Sequence, residues 1–76
     1  MNYWDAVDVR MKEIANEVRE KGKVKASEIV WDYGIALTTL MERAGQHGLK
    51  VRKEKYMRGL YESFRYVVVV DEAGEG

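Results

Sequence analysis

Between Ala26 and Leu49 the chain reads ASEIVWDYGIALTTLMERAGQHGL. Apolar residues recur every three to four positions on both sides of Gly34, which indicates two short amphipathic helices, the second spanning about residues 36–47. Glycine accepts the positive φ angle of a sharp turn at little steric cost, so Gly34 is well suited to join them. Two amphipathic helices joined in this way are the parts of a helix-turn-helix.

Length and composition limit the classes to which the protein can belong. The chain has 76 residues, of which 46% are apolar and 34% charged, and it contains no cysteine. These values predict one small globular domain over residues 1–70, followed by a flexible acidic tail over 71–76, without disulfides or thiolate metal sites. No apolar run approaches the roughly 20 residues that span a bilayer. The first residues, MNYWDAVD, do not resemble a signal peptide, so we expect a cytoplasmic protein.

The first 21 residues predict one amphipathic helix that begins after a cap at Asn2 and ends at Gly22. Its apolar stripe also suits a two-stranded coiled coil, but about three heptads is short for one, and packing within the domain is the favoured interpretation. The residues expected to share one core are Trp4, Val7, Met11, Ile14, Leu40 and Phe64.

Strands are predicted on both sides of the two short helices. Residues 23–25, KVK, fit a minimal strand with Val24 pointing inward, and from Leu49 onward the period changes from 3.6 to 2. The run FRYVVVV, residues 64–70, has the β-branched and aromatic composition of a buried strand. Residues 57–63, MRGLYES, are expected to form the loop of a β-hairpin between the last two strands.

The predicted fold is therefore α+β, with three helices, a short strand and a C-terminal two-stranded hairpin. This order, together with the motif ASEIVWDYGIALTTL and the segment RAGQHGLKV that leads into the hairpin, resembles the winged helix-turn-helix domains of bacterial and archaeal regulators. In size and lack of cysteine the chain is similar to the stand-alone winged-helix proteins of plasmids and viruses of thermophilic archaea such as Sulfolobus. The resemblance implies a DNA-binding regulator whose third helix enters the major groove and whose hairpin is the wing.

On the third helix, Leu37, Leu40, Met41 and Ala44 are expected to face the core. The polar residues left on the outside, as candidates for base contact, are Thr38, Thr39, Glu42, Arg43, Gln46 and His47. Arg and Gln can form paired hydrogen bonds with guanine and adenine edges, and Thr can contact a thymine methyl group. The alternative is an ordinary solvated helix face.

The hairpin has the stronger electrostatic signal. Net charge is zero overall, but residues 21–58 hold nine basic and four acidic groups. The candidate DNA contacts in the wing are Lys50, Arg52, Lys53, Lys55, Arg58 and Tyr61. Such a cluster can neutralise phosphates and release counterions, although charges on an edge strand also discourage aggregation.

Function is expected to be sequence-specific binding of double-stranded DNA by a monomer, without catalysis, cofactor, metal or membrane partner. His47 has neither a cysteine nor a second histidine to complete a metal site or a catalytic pair, and the isolated glycines do not form a phosphate-binding loop. The alternative is a winged-helix module that binds another protein through the same basic surface.

Overall fold

The computed structural model describes residues 2–72, and within them the fold is α+β, as predicted. The elements in chain order are α1 (Tyr3–Lys21), β1 (Lys23–Lys25), α2 (Ala26–Tyr33), α3 (Leu37–Arg43), a 3-10 turn (Ala44–His47), β2 (Leu49–Arg58) and β3 (Tyr61–Val70). Of the predicted tail, residues 73–76 lie outside the described part of the chain. The Asp71 N–H donates a hydrogen bond to the Gly48 carbonyl at 2.8 Å, so Asp71 continues the ordered structure.

Helix α1 supplies one side of the core. The Asn2 side chain accepts a hydrogen bond from the Asp5 N–H at 2.9 Å, which caps the helix as predicted, and Gly22 follows its last residue. Val7, Met11, Ile14 and Val18 are buried, which confirms most of the predicted stripe. The prediction that Trp4 lies in the core is wrong. Its side chain is 45% exposed, because the first turn of α1 extends past the packed region. Within residues 2–72, α1 and the other helices are too short or too polar to cross a membrane.

The central stretch forms two helices joined by a turn. Helix α2 ends at Tyr33, and Gly34 takes the predicted left-handed conformation with φ 64°. The single helix expected over residues 36–47 is divided: α3 is regular from Leu37 to Arg43, and the chain then tightens into a 3-10 turn that ends before Gly48. Gly45, which has low helix propensity, lies inside this tightened segment.

The core lies between the helices and one face of the sheet. Leu40 of α3 and Ala44 of the 3-10 turn are buried in it together with Ile14, Leu49 and Val68. Two residues expected there are largely exposed, Met41 at 46% and Phe64 at 53%. Phe64 lies on the part of β3 that extends beyond the core, where the neighbour across the ladder is Lys55 and not an apolar residue.

All three strands pair antiparallel in the order β1-β3-β2. Val24 lies opposite Val68 and points into the core, as predicted for β1. Strands β2 and β3 pair over their full length from Leu49↔Val70 to Arg58↔Tyr61. The predicted seven-residue loop is therefore wrong: only Gly59 and Leu60 connect the strands, because residues 57, 58 and 61–63 continue the ladder.

Candidate nucleic-acid interface

The β2–β3 hairpin extends beyond the core and has two distinct faces. Residues directly opposite each other in an antiparallel pair point to the same side of the sheet, and successive residues alternate. The helix-side face continues from the buried Leu49 and Val68 and the partly buried Val51, and its exposed part consists of Lys53, Lys55, Met57, Glu62, Phe64 and Tyr66. The outer face of the hairpin consists of Lys50, Arg52, Glu54, Tyr56, Arg58, Tyr61, Ser63, Arg65, Val67 and Val69.

This alternation separates the predicted wing cations. Lys53 and Lys55 lie on the helix-side face, whereas Lys50, Arg52 and Arg58 lie on the outer face. Strand alternation is visible in the sequence, but the face directed toward the helices becomes clear only from the packing of Leu49 and Val51. A rigid duplex resting against one side of the sheet can contact only one of these two sets, except at the narrow tip.

On the helix-side face, aromatic and acidic neighbours hold the two lysines in place. Lys53 Nζ lies 4.6 Å from the centre of the Phe64 ring, within the range of a cation–π interaction. Lys55 Nζ forms an ion pair with Glu62 at 2.8 Å, and both side chains are more than half exposed. Exposed pairs of this kind contribute little to stability, so Lys55 can exchange its partner for a phosphate at small cost.

On the outer face, one carboxylate is shared by three cations. Glu54 accepts hydrogen bonds from Lys23 at 2.7 Å and from Arg65 at 3.2 Å, and Arg52 lies 3.8 Å away. The bond from Lys23 is the main reason that the pKa of Glu54 lies below its ordinary value, and the bonds from Arg65 act in the same direction. The Arg65 guanidinium also lies 4.6 Å above the Tyr56 ring. This network was not predicted, because the position of Arg65 opposite Glu54 depends on the register of the hairpin.

Apart from Gly45, which has no side chain, four exposed residues form the surface of α3 and the 3-10 turn that is open to a ligand. They are Thr38, Met41, Glu42 and Gln46. Three of the four were predicted on this surface, and Met41 was not. Glu42 is the acidic group among them, so this surface depends on hydrogen bonding and shape rather than on positive charge.

Arg43, another predicted base contact, is held by two neighbours. Its guanidinium lies 4.1 Å above the Trp4 ring, and its Nη1 donates a hydrogen bond to the Gln46 Oε1 at 3.2 Å. Tyr3 packs edge-on against the same indole, with ring centres 4.9 Å apart. The N-terminal turn of α1 therefore borders the α3 surface and orients Arg43, a role that the sequence pattern of Trp4 did not indicate.

Two predicted contacts do not lie on the outside of the helix. Thr39 is only 9% exposed, because it lies next to the buried Leu40 on the side of α3 that faces the core. The His47 side chain packs toward α1, where Nε2 lies 3.6 Å from the Asp8 carboxylate, and the His47 carbonyl accepts a hydrogen bond from Arg19 at 3.3 Å. Because the chain winds more tightly in the 3-10 turn than in an α-helix, His47 does not lie on the same side as Thr38.

Charge is distributed unevenly between the hairpin and the helices. Residues 49–70 carry six basic and two acidic side chains, a net charge of +4, whereas the three helices with the 3-10 turn carry five basic and eight acidic ones, a net charge of −3. Attraction of a polyanion would therefore act on the hairpin, and not on α1 or α2.

A groove lies between α2, the first residue of α3 and β3. It has a volume of about 400 Å³ and is lined by Ala26, Ser27, Val30, Trp31, Leu37, Arg65 and Tyr66. Trp31 is 87% exposed, although Leu37 and Val30 beside it are partly buried. Most of this lining is apolar, which distinguishes the groove from the charged hairpin next to it.

No cluster of three or more His, Asp or Glu side chains in residues 2–72 could hold a metal ion. Comparison of the chain with protein-family models, with curated proteins and with solved structures found no match.

Proposed function

We propose that this protein binds double-stranded DNA as a winged helix, with α3 in the major groove and the β2–β3 hairpin as a wing along the adjacent backbone. One observation carries the proposal: a hairpin of net charge +4 extends from a core whose helices are net negative, beside the two short helices α2 and α3. Phosphates attract such a hairpin whatever the sequence, while hydrogen-bonding groups of α3 discriminate between base edges. We further propose that the protein is a cytoplasmic transcriptional regulator.

Each part of the interface has a defined role in this proposal. Lys53 and Lys55, on the side of the hairpin that faces the helices, neutralise phosphates next to the groove that α3 occupies, and Arg58 does so at the tip. Thr38 and Gln46 contact base edges, and Glu42 accepts a hydrogen bond from a cytosine amino group. Arg43 must leave Gln46 to form a paired contact with guanine, and its stacking on Trp4 keeps it close to the groove.

The salt dependence of duplex binding tests this assignment. Affinity should fall between about 50 and 200 mM salt with a slope of about −0.9 for each phosphate neutralised. Lys55→Ala should make that slope shallower by about one unit. Lys21→Ala is the matched control, because Lys21 also forms an exposed ion pair, with Glu17 at 2.9 Å, but lies on α1. Equal effects of the two substitutions would contradict a role for the hairpin.

A second candidate function, binding to another protein, is favoured by the groove beside Trp31. An indole that is 87% exposed at the rim of an apolar groove is typical of a surface that receives a partner's apolar side chain. Trp31→Ala should leave duplex binding unchanged if DNA is the ligand. Absence of duplex binding at low salt, with α-helical content intact, would favour the protein partner.

We propose that the protein is a monomer in solution. The full-length edge of β2 carries Lys50, Arg52, Lys53 and Lys55, and such charges oppose pairing with the edge of a second copy. Light scattering at micromolar concentration should give the mass of one chain, 8.8 kDa. Twice that mass would refute this part of the proposal.

A further inference from the structure

The tip of the β2–β3 hairpin carries apolar side chains that the fold does not use. Leu60 is 94% exposed, Tyr61 79% and Met57 61%. Singly exposed apolar residues are common, but three within five residues make the tip of the hairpin apolar on both of its faces. Tips of this kind ordinarily carry Asn, Asp, Ser or Gly.

Turn geometry does not require Leu60. Gly59 has φ 62°, and residues 2–72 contain no residue other than glycine with positive φ, so the glycine takes the left-handed position and Leu60 does not. Positive φ at only the first of two central residues is the pattern of a type II′ turn, which accepts almost any residue at the second position. Neither core packing nor turn formation accounts for Leu60, which leaves this side chain available for contact with another molecule.

The residues next to this apolar tip indicate the chemistry of that molecule. Arg58 and Lys55 lie within five residues of Leu60, and the hairpin has a net charge of +4. An apolar side chain beside cations matches a duplex groove, where phosphates border a stack of bases. Minor-groove binding proteins insert Leu, Ile, Phe, Met or Pro between base steps in this way and kink the duplex by about 20–90°.

The length of the hairpin is sufficient for this contact. Arg58 lies seven residues beyond Val51, the last residue of β2 that packs against the core, so the tip extends about 23 Å from the core edge. Half of a DNA helical repeat is about 17 Å, which separates the major groove from the next minor groove. A helix in one groove therefore leaves the tip within reach of the other.

We infer that the hairpin tip is a DNA-deforming wedge, in which Leu60 inserts at a minor-groove base step while Arg58 contacts the flanking phosphate. This inference rests on the proposed function and adds to it a structural effect on the DNA. Pyrimidine–purine steps such as TA and CA unstack most easily, so the kink should form at a step of this type. The protein would then change the path of the duplex as well as mark a site on it.

Fluorescence energy transfer across an end-labelled duplex of about 20–30 base pairs measures the bend. Wild-type protein should bring the ends closer, consistent with a kink of about 20–90°. Leu60→Asn should abolish the kink. The dissociation constant should stay within about tenfold of the wild-type value, because the variant loses the favourable Leu60 contact but also avoids the free-energy cost of unstacking the bases. Asn suits the turn, and Leu60→Ser is a second variant if Asn perturbs the hairpin, which circular dichroism would reveal.

Trp31→Gln is the matched control, since it also removes a large exposed apolar side chain but one far from the tip in sequence. It should leave the bend unchanged. Wild-type binding without a bend, or a bend that persists in both Leu60 variants, would overturn the wedge while leaving DNA binding intact. Binding of wild-type protein, but not of Leu60→Asn, to anionic vesicles in the absence of any duplex bend would also overturn it and assign the tip to a lipid surface. If the wild-type protein does not bind duplex DNA at low salt, the proposed function itself is refuted.

Discussion

Adjacent residues of α3 offer a stringent test of the core. Leu40 is 0% exposed, whereas Met41, the next residue and of similar size, is 46% exposed. Leu40→Ala removes three carbon atoms from a packed site, worth about 2.4 kcal/mol by transfer alone and about 2 to 5 kcal/mol once the cavity is included. Met41→Ala should cost less than about 1 kcal/mol because much of its side chain already contacts water.

The expected difference is large relative to the stability of so small a domain. At about 0.05 to 0.15 kcal/mol per residue, a chain of 76 residues has a free energy of unfolding of about 4 to 11 kcal/mol. A loss of about 3 kcal/mol should lower the melting temperature by about 12 to 24 °C. Urea unfolding should be followed by far-ultraviolet circular dichroism, since Trp31 is 87% exposed and reports poorly on burial. Equal destabilisation by the two substitutions would refute the placement of α3.

Three further predictions concern charge and sequence discrimination. Glu54→Gln removes the carboxylate shared by three cations, but Lys23, Arg52 and Arg65 lie on the outer face, away from the proposed duplex, so the salt dependence of duplex binding should stay unchanged. The substitution should also weaken the loss of stability in acid, because the lowered pKa of Glu54 contributes stability that is present above the unfolded pKa and is lost as pH falls through the folded pKa. Burial, and then the hydrogen bond that Tyr33 donates to Glu17 at 2.9 Å, raises the pKa of Tyr33 to about 12. The stability that this raised pKa contributes is complete below about pH 10 and is lost toward pH 12. Tyr33→Phe should therefore reduce the fall in the free energy of unfolding between these two pH values. Gln46→Ala should cost about 1 to 3 kcal/mol on a preferred duplex and much less on a random one, and equal losses on both would assign Gln46 to the backbone.

The helices and strands of this protein were largely predictable because their signals are local. The stripe of α1, the cap at Asn2 and the turn at Gly34 each depend on residues a few positions apart. The extent of the hairpin was underestimated because Gly59 suggested a longer loop, whereas a glycine at the first central position permits a turn of two residues. Periodicity also placed Trp4 and Phe64 in the core, although both lie on elements that extend past it.

The candidate site was less predictable, because it depends on which elements face each other. The period of 2 places Lys53 and Lys50 on opposite sides of the sheet, but it does not reveal that Arg65 lies opposite Glu54, which depends on the register of the hairpin. Nor does the helical face of α3 reveal that His47 packs toward Asp8 or that Arg43 stacks on Trp4. These relations arise from tertiary packing, which composition and spacing do not specify.

Nuclear magnetic resonance titration of the isotopically labelled protein with duplex DNA locates the residues that contact DNA. The largest changes in backbone amide shifts should fall on the exposed surface of α3, on Lys53 and Lys55, and at the hairpin tip. The indole signal of Trp31 should change little. Changes concentrated instead on Lys25, Lys50 and Arg52 would place the duplex on the opposite side of the sheet and contradict the proposed winged-helix mode.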